Sequence, residues 1–152
     1  MEPPNCTVLF HNGQAEVWAP TQITDLARQV VAEVLGIARD KVQIHLTLLG
    51  GGFGRRLEMD CIAQAAFIAK ACEGLPVQTL WDRSQDLQHD FYRPACISHF
   101  DAGFDEQGQL LAWKNTSASQ AVVPQVLKRL FNLPAAGPDK RSEEHTSELQ
   151  SH

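Results

Sequence analysis

Four of the five residues 50–54 are glycine, and this cluster separates an alternating segment from an almost wholly apolar one. Val42, Ile44, Leu46 and Leu48 alternate with Gln43, His45 and Thr47, the period of a half-buried strand. Met59 to Cys72 is apolar on nearly every side apart from Asp60, Gln64 and Lys70, the pattern of a helix buried over most of its surface. The linking run Gly50-Gly51-Gly52-Phe53-Gly54-Arg55-Arg56 is therefore a strand-to-helix loop. Its glycines reach positive φ and bring backbone N–H groups close to a ligand. A following helix N-terminus and two forked guanidinium donors complete a site for an anion, most naturally a phosphate or pyrophosphate.

The loop departs from the standard nucleotide loops. No Lys-Ser or Lys-Thr follows it, and it lacks both the third small residue of G-x-G-x-x-G and that motif's acidic partner. The large aromatic Phe53 inside it reads as a wall against a planar or bulky reacting group. A plain phosphate- or nucleotide-binding α/β module using this loop is the alternative reading.

Around the loop the chain alternates strands and helices. Cys6–Phe10 and Ala15–Trp18 flank Asn12-Gly13, a strong hairpin signal. Ile23, Leu26, Ala27, Val30, Val31, Val34 and Leu35 form one apolar helix face, with Thr21 the expected N-cap and Gly36 the expected stop. Gly74 and Pro76 end the second helix, and Val77–Trp81 reads as a strand. Ser84–His89 reads as no more than a turn or a single helical turn, and Asp86, His89 and Asp90 as its caps. Ile97–Phe104 and Leu110–Ser117 form a hairpin over Asp105-Glu106-Gln107-Gly108, and Val126–Phe131 reads as a short helix before the loop Pro134–Pro138. The class is mixed α and β.

Composition closes off other classes. Thirteen Lys+Arg against 18 Asp+Glu give a net charge of −5, which argues against a nucleic-acid partner held by bulk charge. No run approaches the ~18 apolar residues of a membrane span. The six histidines and four cysteines show no ligand spacing, so no metal site built from side chains is expected, and Cys61 and Cys72 read as small buried residues. No basic-then-apolar leader is visible at the start of the sequence, and the compartment stays open between cytoplasm and periplasm.

The loop resembles the molybdopterin loop of the large subunit of molybdenum hydroxylases, the xanthine dehydrogenase and aldehyde oxidase family. Its Arg55-Arg56 ending resembles the isoquinoline oxidoreductase beta-subunit branch. Other segments agree in order: Met1-Glu2-Pro3 with Cys6-Thr7, Trp18-Ala19-Pro20-Thr21-Gln22, Trp81-Asp82-Arg83, His89 through Pro94, and Gly137-Pro138-Asp139-Lys140. The resemblance implies an α+β fold, mixed sheets with packed helices, forming part of a molybdopterin-binding domain over residues 1–140. It implies an oxidoreductase that hydroxylates N-heterocycles or aldehydes with water as the oxygen source. The cofactor it implies is molybdenum–molybdopterin in its cytosine dinucleotide form, and the partner a small subunit carrying iron–sulfur clusters.

By the same resemblance Gln22 lies beside the molybdenum's apical ligand, and Phe53 offers its backbone N–H near the metal's oxo group. Gly51, Gly52 and Gly54 approach the pterin and its phosphate, joined by Arg55 and Arg56. Arg56 and Leu57 stand where the xanthine branch carries a lysine and a substrate-binding glutamate, which favours a less polar heterocycle or an aldehyde over a purine. The family's catalytic glutamate belongs to a Gly-rich motif near the far end of the subunit, and Glu2, Glu16, Glu33, Glu58 and Glu73 match nothing of that kind. The sequence thus reads as a fragment without the base, expected to be inactive alone. Residues 141–152, polar and without periodicity, resemble the in-frame translation of a sequencing-adapter oligonucleotide. They are read as a non-native tail that packs on nothing.

Overall fold

Val8, Val17, Val77 and Ile44 form a row across four paired strands, and this row sets the core of the first of two units, Met1–Phe91. A computed structural model of the protein describes residues 1–121, Val126, Lys128, Arg129 and the strand at 145–150. In the first unit β1 (Asn5–His11) and β2 (Gln14–Ala19) make the expected hairpin. Asn12 and Gly13 both take positive φ, 51° and 70°, the requirement of the turn whose twist matches its strands. Helix α1 (Thr24–Leu35) then crosses over to β3 (Val42–Leu46), which pairs parallel with β2. Helix α2 (Asp60–Ala71) leads to β4 (Pro76–Leu80), antiparallel to β1, so the sheet order is β3-β2-β1-β4.

The period-2 pattern explains the core. Cys6 and Val8 of β1, with Ala15, Val17 and Ala19 of β2, are buried on one face, where α1 packs on β3 and α2 on β1 and β4. Each fully buried valine contributes about 1.5–3 kcal/mol relative to exposure. Gly36 ends α1 in the left-handed region, φ 74°, donating to the Ala32 carbonyl at 2.9 Å as its position predicts.

Four expectations need correction. Thr21 does not cap α1; Ile23 stands at the cap, and the Thr21 hydroxyl accepts the Ile23 N–H while donating to the glycine loop. Helix α2 is not buried on most of its surface: Cys61, Ile62, Ala65, Ala66 and Ala69 face inward, while Phe67 and Ile68 are 70% and 44% exposed. Cys72, just past that helix, is only half-buried. Arg83–His89 is a seven-residue helix, α3, longer than the turn or single helical turn expected, because Asp82 and Gln85 form a reciprocal capping box that offsets its polar composition.

In the second unit, Tyr92–His152, β5 (Cys96–Phe104) and β6 (Leu110–Ser119) form the expected hairpin, with a bulge at Gly103/Phe104. Asp105 Oδ1 accepts the N–H groups of Gln107 and Gln109 and fixes its turn. The segment expected to pack on nothing pairs here: β7 (His145–Gln150) lies antiparallel to β6. A backbone ladder requires no apolar face, so the open edge of β6 accepts even this polar sequence. The short helix expected over Val126–Phe131 and the loop Pro134–Pro138 lie largely outside the described residues. Among the described residues no helix is long and apolar enough to cross a membrane.

Candidate functional site

The glycine loop is fastened at both ends by segments distant in sequence. At its start, Glu2 N–H donates to the Gly50 carbonyl at 3.2 Å. At its end, the Arg56 carbonyl accepts two bonds, from the buried Thr21 hydroxyl at 3.1 Å and from Gln22 N–H at 3.1 Å. Between them, Gly54 N–H donates to Gln22 Oε1 at 3.0 Å. A 3-10 turn over Arg55–Leu57, opened by Arg55 N–H on the Gly52 carbonyl at 2.9 Å, carries the chain toward α2.

The backbone between the fastenings is strained in the way active loops often are. Gly51 and Gly54 sit at φ 96° and 82°, where only glycine is comfortable. Phe53 sits at φ 49°, uncommon for a bulky residue and costing on the order of 1–3 kcal/mol. Its ring is 68% exposed and lies over Gly51, where an added Cβ would come within 2.6 Å of Phe53 Cε2. Among the described residues the N–H groups of Gly51, Gly52 and Phe53 meet no protein acceptor. Successive free N–H groups on backbone that includes left-handed residues form a concavity suited to oxygen-rich anions. The loop's backbone therefore fits an oxygen-rich anionic group such as the phosphate of a pterin cofactor.

The two arginines do something other than the sequence predicts. Both guanidiniums turn inward, Arg55 at 5% and Arg56 at 6% exposure, and neither presents forked donors to the loop's open side. Arg55 grips Asp60 with two bonds of 3.1 and 2.8 Å. Its Nε lies 2.7 Å from Asp90 Oδ1, an ion-pair contact outside hydrogen-bond geometry. The guanidinium also lies 5.6 Å from the Trp81 ring centroid and 5.5 Å from that of Phe91. Burial by itself disfavours its charge, but the Asp60 bond and the charges of Asp60, Asp90 and Asp86 more than offset that and push its pKa up. Arg56 donates to the Glu2 carbonyl, and burial outweighs the Glu2 charge to pull its pKa down. Together they anchor the foot of the loop, Arg55 on the carboxylates of Asp60 and Asp90 and Arg56 on the Glu2 backbone carbonyl.

Of the expected caps Asp86, His89 and Asp90, the last two do close the end of α3, where Asp90 also accepts the Phe91 N–H at 2.8 Å, and Asp86 is reassigned. Asp86 is buried and pairs with Arg83 at 2.6 Å, His89 Nδ1 meets the Gln85 carbonyl at 2.9 Å, and Asp90 faces Arg55. Sequence reading missed Thr21, Asp60 and Asp90 as loop anchors. The signal available was Asp60 a few positions after an arginine pair, at the start of an otherwise apolar helix.

Gln22, Gly51, Gly52, Phe53 and Gly54 are thus brought together, with Arg55 and Arg56 beneath them. A model of the molybdopterin cofactor-binding domain matches residues 1–130. The chain belongs to that family. Within the family, the chain is 37% identical over 134 residues to the isoquinoline 1-oxidoreductase subunit beta of Brevundimonas diminuta, covering 87% of this chain and 17% of that protein. It is 34% identical over 119 residues to the membrane-bound aldehyde dehydrogenase [pyrroloquinoline-quinone] of Gluconacetobacter polyoxogenes, covering 78% of this chain and 15% of that one. Among solved structures, quinoline 2-oxidoreductase from Pseudomonas putida 86 superposes with a TM-score of 0.56 at 23% identity, over 80% of this chain and 16% of that one. The molybdopterin-binding segment described here thus spans about a sixth of the relatives it matches. The family match supports the molybdopterin-binding reading of the loop and lends nothing to the nucleotide module.

Proposed function

We propose that this segment forms one wall of the molybdenum–molybdopterin site in an oxidoreductase that hydroxylates a weakly polar N-heterocycle or an aldehyde. The observation that carries the reading is the fastened glycine loop with unpartnered N–H groups at Gly51, Gly52 and Phe53, beside the carboxamide of Gln22. When bound, the cofactor supplies two-electron oxidation of an electron-poor carbon, with water as the oxygen source. The chain's own part is to bind and orient. Gly51, Gly52 and Gly54 would let the backbone approach the pterin, and the Phe53 N–H and Gln22 Nε2 would be the donors facing the bound cofactor. Arg55 and Arg56 hold the loop from below, and no glutamate of this segment is assigned the role of base.

The reading extends to a cytosine dinucleotide form of the cofactor and to a partner subunit bearing iron–sulfur clusters. It also takes residues 141–152 as non-native and residues 1–140 as a piece of a larger subunit, inactive alone. Similarity to an isoquinoline oxidoreductase subunit supports a heterocycle substrate, as does the absence at Arg56 and Leu57 of the residues the xanthine branch carries.

The test is to express the complete subunit with its partner and measure metal, nucleotide and iron together. Molybdenum, with one cytidine monophosphate released per metal on acid hydrolysis, and oxidation of isoquinoline-type or aldehyde substrates are expected. A preparation containing pyrroloquinoline quinone and no molybdenum would overturn the reading.

A further inference from the structure

We propose that Gly52 is a positioning residue whose missing Cβ is the space occupied by the Gln22 carboxamide. Three glycines of the loop differ in what they require. Gly51 and Gly54 have positive φ and need glycine for backbone reasons, whereas Gly52 is not in the left-handed region and any residue could adopt its backbone. What excludes a side chain there is Gln22. A Cβ at Gly52 would lie 2.6 Å from Gln22 Cδ, 2.6 Å from its Oε1 and 2.9 Å from its Cγ, all closer than nonbonded atoms approach.

The carboxamide has nowhere to retreat without loss. Its oxygen accepts the Gly54 N–H at 3.0 Å, and the Gln22 backbone is itself pinned by its N–H on the Arg56 carbonyl at 3.1 Å. A methyl group at position 52 therefore turns the Gln22 side chain out and leaves the Gly54 N–H unpaired. Gly52 is buried while Gln22 is exposed, as when the glutamine forms a cover over the glycine. Gly52 acts through Gln22, and its place in the loop is specified by a side chain 30 residues earlier rather than by the cofactor alone. The consequence for turnover rests on the function proposed for Gln22; the positional claim does not.

The test is single-residue hydrogen exchange at the Gly54 amide in the 152-residue chain, read by electron-transfer fragmentation. Gly52→Ala and Gln22→Ala should each speed that exchange by on the order of 10-fold, the worth of one hydrogen bond. The double variant Gln22→Ala/Gly52→Ala should exchange no faster than Gln22→Ala alone, because both changes remove the same contact. The inference is overturned if Gly52→Ala leaves Gly54 as protected as in the native chain, or if the two effects multiply. Should Gly52→Ala fail to fold, the double variant should still fold and melt like Gln22→Ala; its failure would also overturn the inference. Full turnover in Gln22→Ala would instead refute the functional role of Gln22 and leave the exchange result standing.

Discussion

Gly54 N–H and Gln22 Oε1, 32 positions apart in sequence, are joined by a hydrogen bond of 3.0 Å that fixes which way the glutamine amide points. A backbone N–H only donates, so its partner must be the carboxamide oxygen, and Nε2 is left as the donor. The glutamine therefore offers hydrogen, and complements an oxygen acceptor rather than a donor. The same bond ties the start of α1 to the loop.

Gln22→Ala in the complete subunit is expected to keep near-normal molybdenum content while lowering turnover by on the order of 10-fold or more, the effect of losing one preorganised donor at a charged centre. Metal analysis alongside steady-state rates checks it. Parallel loss of metal and rate would mean that Gln22 builds the site rather than serving the reaction.

Thr21→Val keeps the volume of a buried side chain and removes a hydroxyl that donates to the Arg56 carbonyl and accepts the Ile23 N–H at 3.2 Å. That carbonyl retains Gln22 N–H, so the loss is expected to be about 1 kcal/mol, seen as a lower denaturation midpoint. A neutral result would return Thr21 to the status of a filler.

Arg55→Met is expected to cost more, about 3 kcal/mol, because it strands the carboxylates of Asp60 and Asp90 at the foot of the loop. Restoring the cluster's native net charge with Asp60→Asn in the same chain should recover part of the loss. Equal stability of the two variants would show that the charge network is incidental.

Buried thiols give an alkaline limit. Burial, with a smaller contribution from Cys61, pushes Cys6 up to about 12, and burial with the Asp60 charge pushes Cys61 up to about 11. Both folded values exceed the unfolded thiol value of about 8.5, so the folded state holds these protons longer. Their contribution is complete below about pH 8.5 and falls as pH rises toward 11 for Cys61 and 12 for Cys6, at about 1.4 kcal/mol per pH unit and thiol. Urea midpoints between pH 8 and 10.5 check the slope, and Cys6→Ala/Cys61→Ala should flatten it. At pH 8 an alkylating agent should label exposed Cys96 well before Cys6 or Cys61.

The chain alone is expected to self-associate through Phe67 and Ile68 of α2 and the nearby Leu75, all exposed. Phe67→Glu/Ile68→Lys should raise the monomer fraction in light scattering without lowering the melting temperature, since neither side chain packs inward.

The sequence by itself determined the strands, the helices and the loop, because these follow from local periodicity and local backbone chemistry. Alternation set β1, β2 and β3, Asn12-Gly13 set the hairpin, Gly36 set the end of α1, and the glycines at 50–54 set a loop of special conformation. The motif order around Gln22 and Phe53 also sufficed to indicate the family that residues 1–130 match. Tertiary structure alone decided where the polar side chains went. Arg55 and Arg56 read as ligand donors until Asp60, Asp90 and the Glu2 carbonyl, brought near by folding, claimed them. Thr21 read as a helix cap until the Arg56 carbonyl arrived 35 residues later. A polar group pairs with whichever complementary group the fold brings within about 3 Å, and no local pattern records which one that will be.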